Sequence, residues 1–163
     1  MKKILAYFAV LILLGSLAAC NLSAKEPEGV LNRLDGIVGQ IGNSQITSDD
    51  ALQGIRNNTE DSYTGEYIAE CNNETGRDVI FGGGSIEKRC VRIHGHISLK
   101  SGKATVRIRM NSIIKELEID KNGNFETVLN MASGGNYIMV DYKNFSGSVK
   151  LISEYCPEPM QEI

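Results

Sequence analysis

The feature that most constrains the fold of this chain is a two-residue hydrophobic period through residues 91–110. Because successive side chains of a strand point to opposite faces, this period predicts two strands that each bury one face. The turn-forming pair Ser101-Gly102 between them predicts a hairpin. The residues predicted to be buried are Val91, Ile93, Ile97, Leu99, Ala104, Val106, Ile108 and Met110, and they alternate with Arg92, His94, His96, Ser98, Lys103, Thr105, Arg107 and Arg109.

Further short segments of β character fill residues 61–156, at 63–71, 117–119, 125–129, 137–142 and 148–155. Asn122-Gly123 fits a tight hairpin turn, and the glycine-rich run Phe81–Ser85 is interpreted as a flexible surface loop. A chain of 163 residues has room for one modest domain. We therefore predict a mainly β fold, an antiparallel β-sandwich of about seven or eight strands over 61–156, followed by a C-terminal tail at 157–163.

The N-terminus has the three parts of a secretion signal. Lys2 and Lys3 precede an apolar run over 4–14 and then the small-residue segment Leu17-Ala18-Ala19-Cys20. That apolar run is about half the roughly 20 residues that a membrane-spanning helix needs. Leu17, Ala18, Ala19 and Cys20 resemble the lipobox of bacterial lipoproteins, which implies cleavage after Ala19 and diacylglycerol on the Cys20 thiol. The alternative is an ordinary secreted protein in which Cys20 merely lies near the cleavage site.

On this interpretation residues 1–19 are a removed signal, and residues 20–29 are a lipidated tether. Diacylglyceryl-Cys20 would hold the domain on the outer face of the cytoplasmic membrane, or in an outer membrane if the cell has one. Without Lys2 and Lys3, 15 of the 17 basic residues remain against 20 acidic ones, a net charge of −5. That balance argues against nucleic acid as a partner.

Residues 30–60 are predicted to contain one or two short helices. Thr47 is placed to cap the second, and Asp49 and Asp50 favour its positive end before Ile55. The first is an amphipathic stripe with apolar residues three and four apart: Val30, Leu31, Leu34, Ile37, Val38 and Ile41.

Three cysteines remain beyond the lipobox: Cys71, Cys90 and Cys156. In an oxidising compartment they predict one disulfide and one free thiol. All three pairings are open, and the shorter loop favours Cys71 with Cys90. Cys90, His94 and His96 share a strand face and could ligate zinc or copper. Arginines on that face and on the neighbouring strand would repel a cation, so we predict no metal and no cofactor.

Two seven-residue segments, 70–76 and 141–147, are similar: acid, bulky residue, any residue, Asn, any residue, hydroxyl, Gly. Asn and Gly accept the backbone angles of turns, so we interpret the segments as a repeated strand-to-turn corner. Asn73-Glu74-Thr75 and Asn144-Phe145-Ser146 also satisfy the glycosylation pattern, which is the alternative interpretation.

Several of these segments together resemble a group of small lipoproteins of Gram-positive bacteria. The resemblance covers roughly residues 46–155 and is carried by 61–67, 81–85, 101–104, 135–138 and 144–147. It implies a compact β domain on the outer face of the membrane, with no activity to carry over. Cys71, Cys90 and Cys156 depart from the pattern of that group.

The sequence contains no set of residues at a spacing that catalysis requires, so we predict a protein that is not an enzyme. Ser85 lacks a nucleophile elbow. Clustered tyrosines could form a platform for a glycan or a surface protein, although a buried core edge is the favoured interpretation. We expect a membrane-anchored lipoprotein that presents a non-enzymatic binding or envelope-associated domain. The alternatives are a metal-binding or redox lipoprotein using Cys90, His94 and His96, and a purely structural or protective envelope protein.

Overall fold

The computed structural model describes residues 44–157. The predicted signal peptide, tether and stripe at 30–41 lie outside the described residues, as does the tail after residue 157. The described part has no helix that is long and apolar enough to cross a membrane. It contains a 3-10 helix at Asp49–Ala51 and the strands β1 (Ile55–Asn58), β2 (Gly65–Ser85), β3 (Arg89–Met110), β4 (Ile113–Glu116), β5 (Asn124–Met131) and β6 (Gly134–Tyr155).

The strands pair antiparallel in one sheet of order β1-β2-β6-β3-β4. β6 lies between β2 and β3, so three long strands form the centre of the sheet. The outer edge of β3 is shared by two short strands: β5 pairs with residues 89–96 and β4 with residues 107–110. The predicted class, mainly antiparallel β, is confirmed, with six strands among the described residues in place of seven or eight.

The strand count differs because the three long strands run through positions where turns were predicted. β2 and β3 both change register against β6 at one level, near residues 71–76 and 99–103. Asn73 and Asn144 have φ angles of 59° and 46° at this level. The predicted hairpin at Ser101-Gly102 and the predicted strand ends are therefore wrong. Residues that favour turns also favour bulges, which bend a strand without ending it.

The two similar segments, 70–76 and 141–147, face each other at this bend. The Asn73 N–H donates to Ser146 Oγ at 2.9 Å, and the Asn144 N–H donates to Thr75 Oγ1 at 2.9 Å. The fourth residue of each segment thus bonds to the sixth residue of the other, which gives the bend a local two-fold symmetry. Both hydroxyls of the glycosylation pattern are engaged in these bonds.

The bend divides the sheet into two halves that share one core. The first half contains β1, β5 and residues 65–71, 89–99 and 147–155, and the second contains β4 and residues 76–85, 103–110 and 134–142. Buried side chains of both halves, among them Tyr67, Ile93, Val106 and Leu151, belong to one hydrophobic cluster. The two-residue period predicted this face of β3 correctly, except that Leu99, at the bend, is 60% exposed and Met110, at the end of the strand, is half-buried.

The predicted second helix is replaced by a 3-10 turn and a strand. Asp49–Ala51 is the only helical segment within residues 44–157, and Ile55 already begins β1. Thr47 pairs with β2 instead of capping a helix: its N–H donates to the Val79 carbonyl at 3.1 Å, and its Oγ1 accepts the Val79 N–H at 2.8 Å. The hydrogen-bonding groups of Thr47 that would have capped a helix are therefore bonded to the backbone of β2.

The glycine-rich run Phe81–Ser85 lies in β2 and not in a flexible surface loop. Phe81 is fully buried and Ser85 is 1% exposed. A Cβ on Gly82, whose φ is 121°, would lie 2.0 Å from the Asn136 carbonyl oxygen of β6. The glycines thus permit a close approach of two strands, which a sequence pattern does not distinguish from loop flexibility.

Candidate functional site

A connection between β4 and β5 crosses the outer edge of β3 and lines two neighbouring clefts. We call residues 117–123 the strap. At its start the Leu117 N–H donates to the Val106 carbonyl at 2.9 Å, and at its end the Gly123 carbonyl accepts the Ile97 N–H at 2.8 Å. The strap therefore joins both halves of the sheet beside the bend in β3.

The turn in the strap is fixed by its own carboxylate. Asp120 accepts the backbone N–H groups of Asn122 and Asn124, each at 2.8 Å. These bonds, led by that from the Asn124 backbone, lower the pKa of Asp120. Gly123 has a φ of 89°, and a Cβ there would lie 2.3 Å from the Ile97 carbonyl oxygen. The predicted turn at Asn122-Gly123 is present, but β4 and β5 flank it without pairing to each other.

A cleft of about 780 Å³ lies on one side of the strap, and we call it the histidine cleft. The imidazole Nε2 of His94 lies 3.8 Å from a carboxylate oxygen of Glu154, and that of His96 bonds to the Asn122 carbonyl at 3.0 Å. Since a carbonyl only accepts, His96 Nε2 carries a proton in this contact. The cleft is lined by His94, Gly95, His96, Glu118, Ile119, Asp120, Asn124, Phe125, Glu126, Lys150 and Ile152.

A second cleft of about 460 Å³ lies between the strap and the bend of β3, and we call it the lysine cleft. It shares His96, Ile119 and Asp120 with the histidine cleft, and we call the two adjoining clefts together the strap groove. Both volumes fall within the roughly 300–1,000 Å³ typical of small-molecule sites. The lysine cleft is lined by His96, Ile97, Ser98, Leu99, Lys103, Ala104, Ile119, Asp120, Lys121, Asn122 and Gly123.

A third concave surface, on the second half of the sheet, is lined by ion pairs. Arg77 of β2 and Arg107 of β3 both contact Asp141 of β6, at 2.8 Å and 3.0 Å, and Arg107 also contacts Glu116 of β4 at 2.7 Å. The hydrogen bond from Arg77 lowers the pKa of Asp141. Because these charges satisfy one another, the strap groove is the better candidate for a ligand.

The disulfide joins Cys90 to Cys156, with the Cα atoms 5.3 Å apart, and Cys71 is a buried free thiol. The favoured pairing of Cys71 with Cys90 is therefore wrong. The disulfide pairing follows the strand register and not the loop length. β3 and β6 are neighbours, and the Cys156 N–H donates to the Cys90 carbonyl at 2.9 Å. Cys90 is not a thiolate that could join His94 and His96 on a metal. Residues 44–157 contain no cluster of three or more metal-binding side chains.

Cys71 belongs to a buried polar network between the two halves. The Tyr67 hydroxyl of the first half bonds to Asp78 and, at 2.9 Å, to the Tyr142 hydroxyl of the second half. Burial raises the pKa values of Tyr67, Tyr142 and Asp78, and it raises that of Cys71 to about 11. At that pKa the thiol stays protonated at neutral pH, so Cys71 is an inert core residue.

Asp78 also holds the N-terminal segment of the described chain. Its carboxylate is 1% exposed and accepts the Gln53 N–H at 2.9 Å. Two residues along β2, the Ile80 carbonyl accepts a hydrogen bond from Arg56 at 2.9 Å. Residues 47–56 are thus fastened to consecutive residues of β2, which gives the chain a fixed entry point into the domain.

A second network surrounds the disulfide. The Arg89 guanidinium contacts Asp61 at 3.1 Å and stacks 4.9 Å from the centre of the Tyr63 ring. The Tyr155 hydroxyl donates to the same Asp61 carboxylate at 2.6 Å. Burial raises the pKa of Tyr63 to about 12. Together with the disulfide, this network fixes the ends of β3 and β6.

Of the six aromatic residues predicted as a core edge, five are buried: Tyr63, Tyr67, Tyr137, Tyr142 and Phe145. Tyr155 is half-buried. Within residues 44–157 these side chains therefore form no exposed platform on which a glycan could stack.

His94, His96 and the turn in the strap are recognisable in the sequence, but their proximity in the fold is not. His94 and His96 line the groove, whereas Cys90 and Cys156 form a disulfide outside its lining and Cys71 lies in the core. Cys20 and the rest of the lipobox lie outside the described residues. The sequence feature that marks the groove is the exposed polar turn after Ile119. The sequence of this turn does not indicate that the strap crosses β3.

No protein-family model matches the chain, and no curated protein sequence is similar to it. Among solved structures, a carbohydrate-binding module of a lichenase from Cellvibrio mixtus, in complex with cellotriose, is similar at 8% identity and a TM-score of 0.38, over 72% of this chain and 96% of that one. CapF, in complex with an inhibitor, is similar at 10% identity and a TM-score of 0.28, over 65% of this chain and 31% of that one. TM-scores this low support no inference about fold or ligand.

Proposed function

We propose that this chain is a lipid-anchored envelope protein whose β domain is a non-enzymatic binding module, with the strap groove as its ligand site. The strap groove carries the proposal, because it combines charged, polar and apolar side chains in a concave surface of suitable size. The lipobox around Cys20 supports the anchor. The disulfide between Cys90 and Cys156 supports an oxidising compartment outside the cytoplasm.

We also infer that the sheet folds at its bend into the two layers of a β-sandwich. Supporting this, Tyr67 of the first half reaches Asp78 and Tyr142 of the second across a shared core. Two packed layers around one core are the ordinary solution for a sheet with one apolar face. Such a framework would keep the strap groove preformed.

The hydrogen bonds in the groove favour binding over catalysis. His96 and Ser98 both line the lysine cleft, which is a pairing that nucleophilic catalysis could use. However, His96 Nε2 is bonded to the Asn122 carbonyl, and the Asp120 carboxylate is taken up by backbone N–H groups. A base and its orienting carboxylate would have to break both contacts to activate Ser98.

Intact-mass spectrometry of the protein from its native membrane, beside a Cys20→Ala variant, tests the anchor. We expect a mature chain beginning at Cys20 with the added mass of diacylglycerol. We expect no lipid-modified form of the Cys20→Ala chain in the membrane fraction. An unlipidated wild-type protein in the medium would overturn the anchored half of the proposal.

Binding is tested by two-dimensional amide NMR of the mature Cys20→Ala chain, titrated with solubilised peptidoglycan. We expect shifts confined to residues 94–99 and 117–124, weakened by His96→Ala and unchanged by Lys115→Ala on the edge of β4. The recovered probe should keep its mass. A cleaved probe would contradict the non-enzymatic assignment, shifts outside the groove would contradict the assigned site, and an absence of shifts would favour the structural or protective role.

A further inference from the structure

Two lysines and an exposed leucine line the lysine cleft. Lys103 and Lys121 line it, and within residues 44–157 neither has an acidic partner at ion-pair distance. Leu99 lies beside them and is 60% exposed, although the two-residue period places it on the buried face of β3. This surface presents two positive charges without ion-pair partners and an exposed leucine side chain. It is therefore complementary to an anion that carries a hydrocarbon chain.

The nearby carboxylate offsets only one of the two lysine charges. Asp120 is the acidic residue of this cleft, and its oxygens accept the N–H groups of Asn122 and Asn124 at 2.8 Å and the Asn124 side-chain amide at 3.3 Å. Its oxygens are thus hydrogen-bonded within the turn, and it forms no ion pair with either lysine. The cleft keeps an excess of positive charge on a domain that is acidic overall.

The apolar part of the cleft is continuous with the core. Ile97 and Ala104 are buried core residues at its floor, and Ile119 of the strap packs against the same core. Leu99 lies at the rim. Hydrocarbon placed here would cover apolar surface that the gap between β4 and β5 leaves open to water.

The shape of β3 argues against an extended peptide as the occupant. A peptide adding to a sheet edge needs a flat strand with regular hydrogen-bonding groups. The edge available between Ile97 and Val106 instead contains the bend, with register shifts on both sides of Ser101. The irregular edge favours an occupant that needs no backbone pairing.

We propose that the lysine cleft binds a single-chain anionic amphiphile, with a carboxylate or phosphate head at Lys103 and Lys121 and its chain over Leu99 and Ile119. The inference rests on the proposed binding function and names the ligand class of one part of the groove. The membrane and envelope around an anchored protein are a source of such molecules. The occupant is the monomer and not a bilayer surface.

The test is an amide NMR titration of the mature Cys20→Ala chain with decanoate, below the concentration at which it forms micelles. We expect saturable shifts at Leu99, Lys103, Ile119 and Lys121. Lys103→Gln/Lys121→Gln should weaken binding about tenfold, since each exposed charge pair contributes modestly. The matched control Lys88→Gln/Lys115→Gln removes the same charge outside the groove and should weaken binding less than about twofold.

Four comparisons can overturn the inference. Decanol binding as tightly as decanoate would remove the role of the head group, and an equal loss in both double-lysine variants would reduce it to overall charge. Leu99→Asn, at an exposed site that folding does not need, should weaken decanoate about fivefold, and no change would remove the role of the chain. If peptidoglycan shifts the histidine cleft while decanoate leaves Leu99 and Lys103 unmoved, this inference fails and the proposed binding function stands.

Discussion

Removing the disulfide gives the most decisive stability measurement on this domain. The variant Cys90→Ala/Cys156→Ala opens a link between residues that are 66 positions apart in sequence. In the chain-entropy description, a closed loop of that length restricts the unfolded chain by about 4 kcal/mol at 25 °C. A urea slope of about 2 kcal/mol/M turns this into a fall of roughly 2 M in the unfolding midpoint. Reducing the wild-type protein should lower its midpoint by a similar amount.

The assay is urea unfolding followed by circular dichroism, with and without a reducing agent. Cys71→Ala is the matched control, since it removes a buried thiol and no cross-link. It should lower the free energy of unfolding by about 1 kcal/mol through lost packing and leave the sensitivity to reductant unchanged. If Cys71→Ala abolished that sensitivity while Cys156→Ala retained it, Cys71 would be the partner of Cys90 and the register argument would be refuted.

Three further perturbations test the network, the strap and the charged surface. Tyr67→Phe removes a buried hydroxyl that donates to Asp78, so the free energy of unfolding should fall by about 2 kcal/mol, and a loss under about 0.5 kcal/mol in urea titration would contradict that bond. Gly123→Ala puts a Cβ at positive φ against Ile97 and should cost about 2 kcal/mol, with amide exchange accelerated in the strap, whereas unchanged exchange would contradict the strap contact. The pKa of Asp141 is lowered by an arginine of β2, so its stabilisation is present above the unfolded value of about 4 and is lost as pH falls through the lower folded value. Unfolding midpoints between pH 6 and 2 should therefore decline less steeply in Asp141→Asn, and an identical slope would contradict the assignment.

The part of the fold that could be predicted is the part that depends on a single strand. The side chains of Val91, Ile93, Val106 and Ile108 alternate with polar neighbours whatever strand lies beside them, and all four are buried. Their period therefore predicted the β class and the core face of β3. Leu99 obeys the same period and is exposed, because the bend removes its cover.

The features that could not be predicted depend on strand pairing, which decides whether residues with a turn preference form a turn or a bulge. Asn73 and Asn144 adopt positive φ as the sequence suggests, but each does so in a strand that continues. A turn and a bulge need the same residue types, and only pairing with the neighbouring strand decides between them. The similarity of segments 70–76 and 141–147 was visible, yet its meaning, a mutual pairing, needed the register of β2 on β6.

The strap groove follows from the same bend. Since β2, β6 and β3 bend at one level, one straight strand cannot follow the outer edge of β3 along its whole length. β5 covers that edge up to His96 and β4 covers it from Arg107, and the chain between them must cross the bend without a ladder. The strap attaches at Val106 and Ile97, on the two sides of that gap, and leaves a cleft on either side. The polar turn at 120–124 can be recognised in the sequence. Its position beside β3 is set by the bulges near residues 99–103, which the sequence pattern does not reveal.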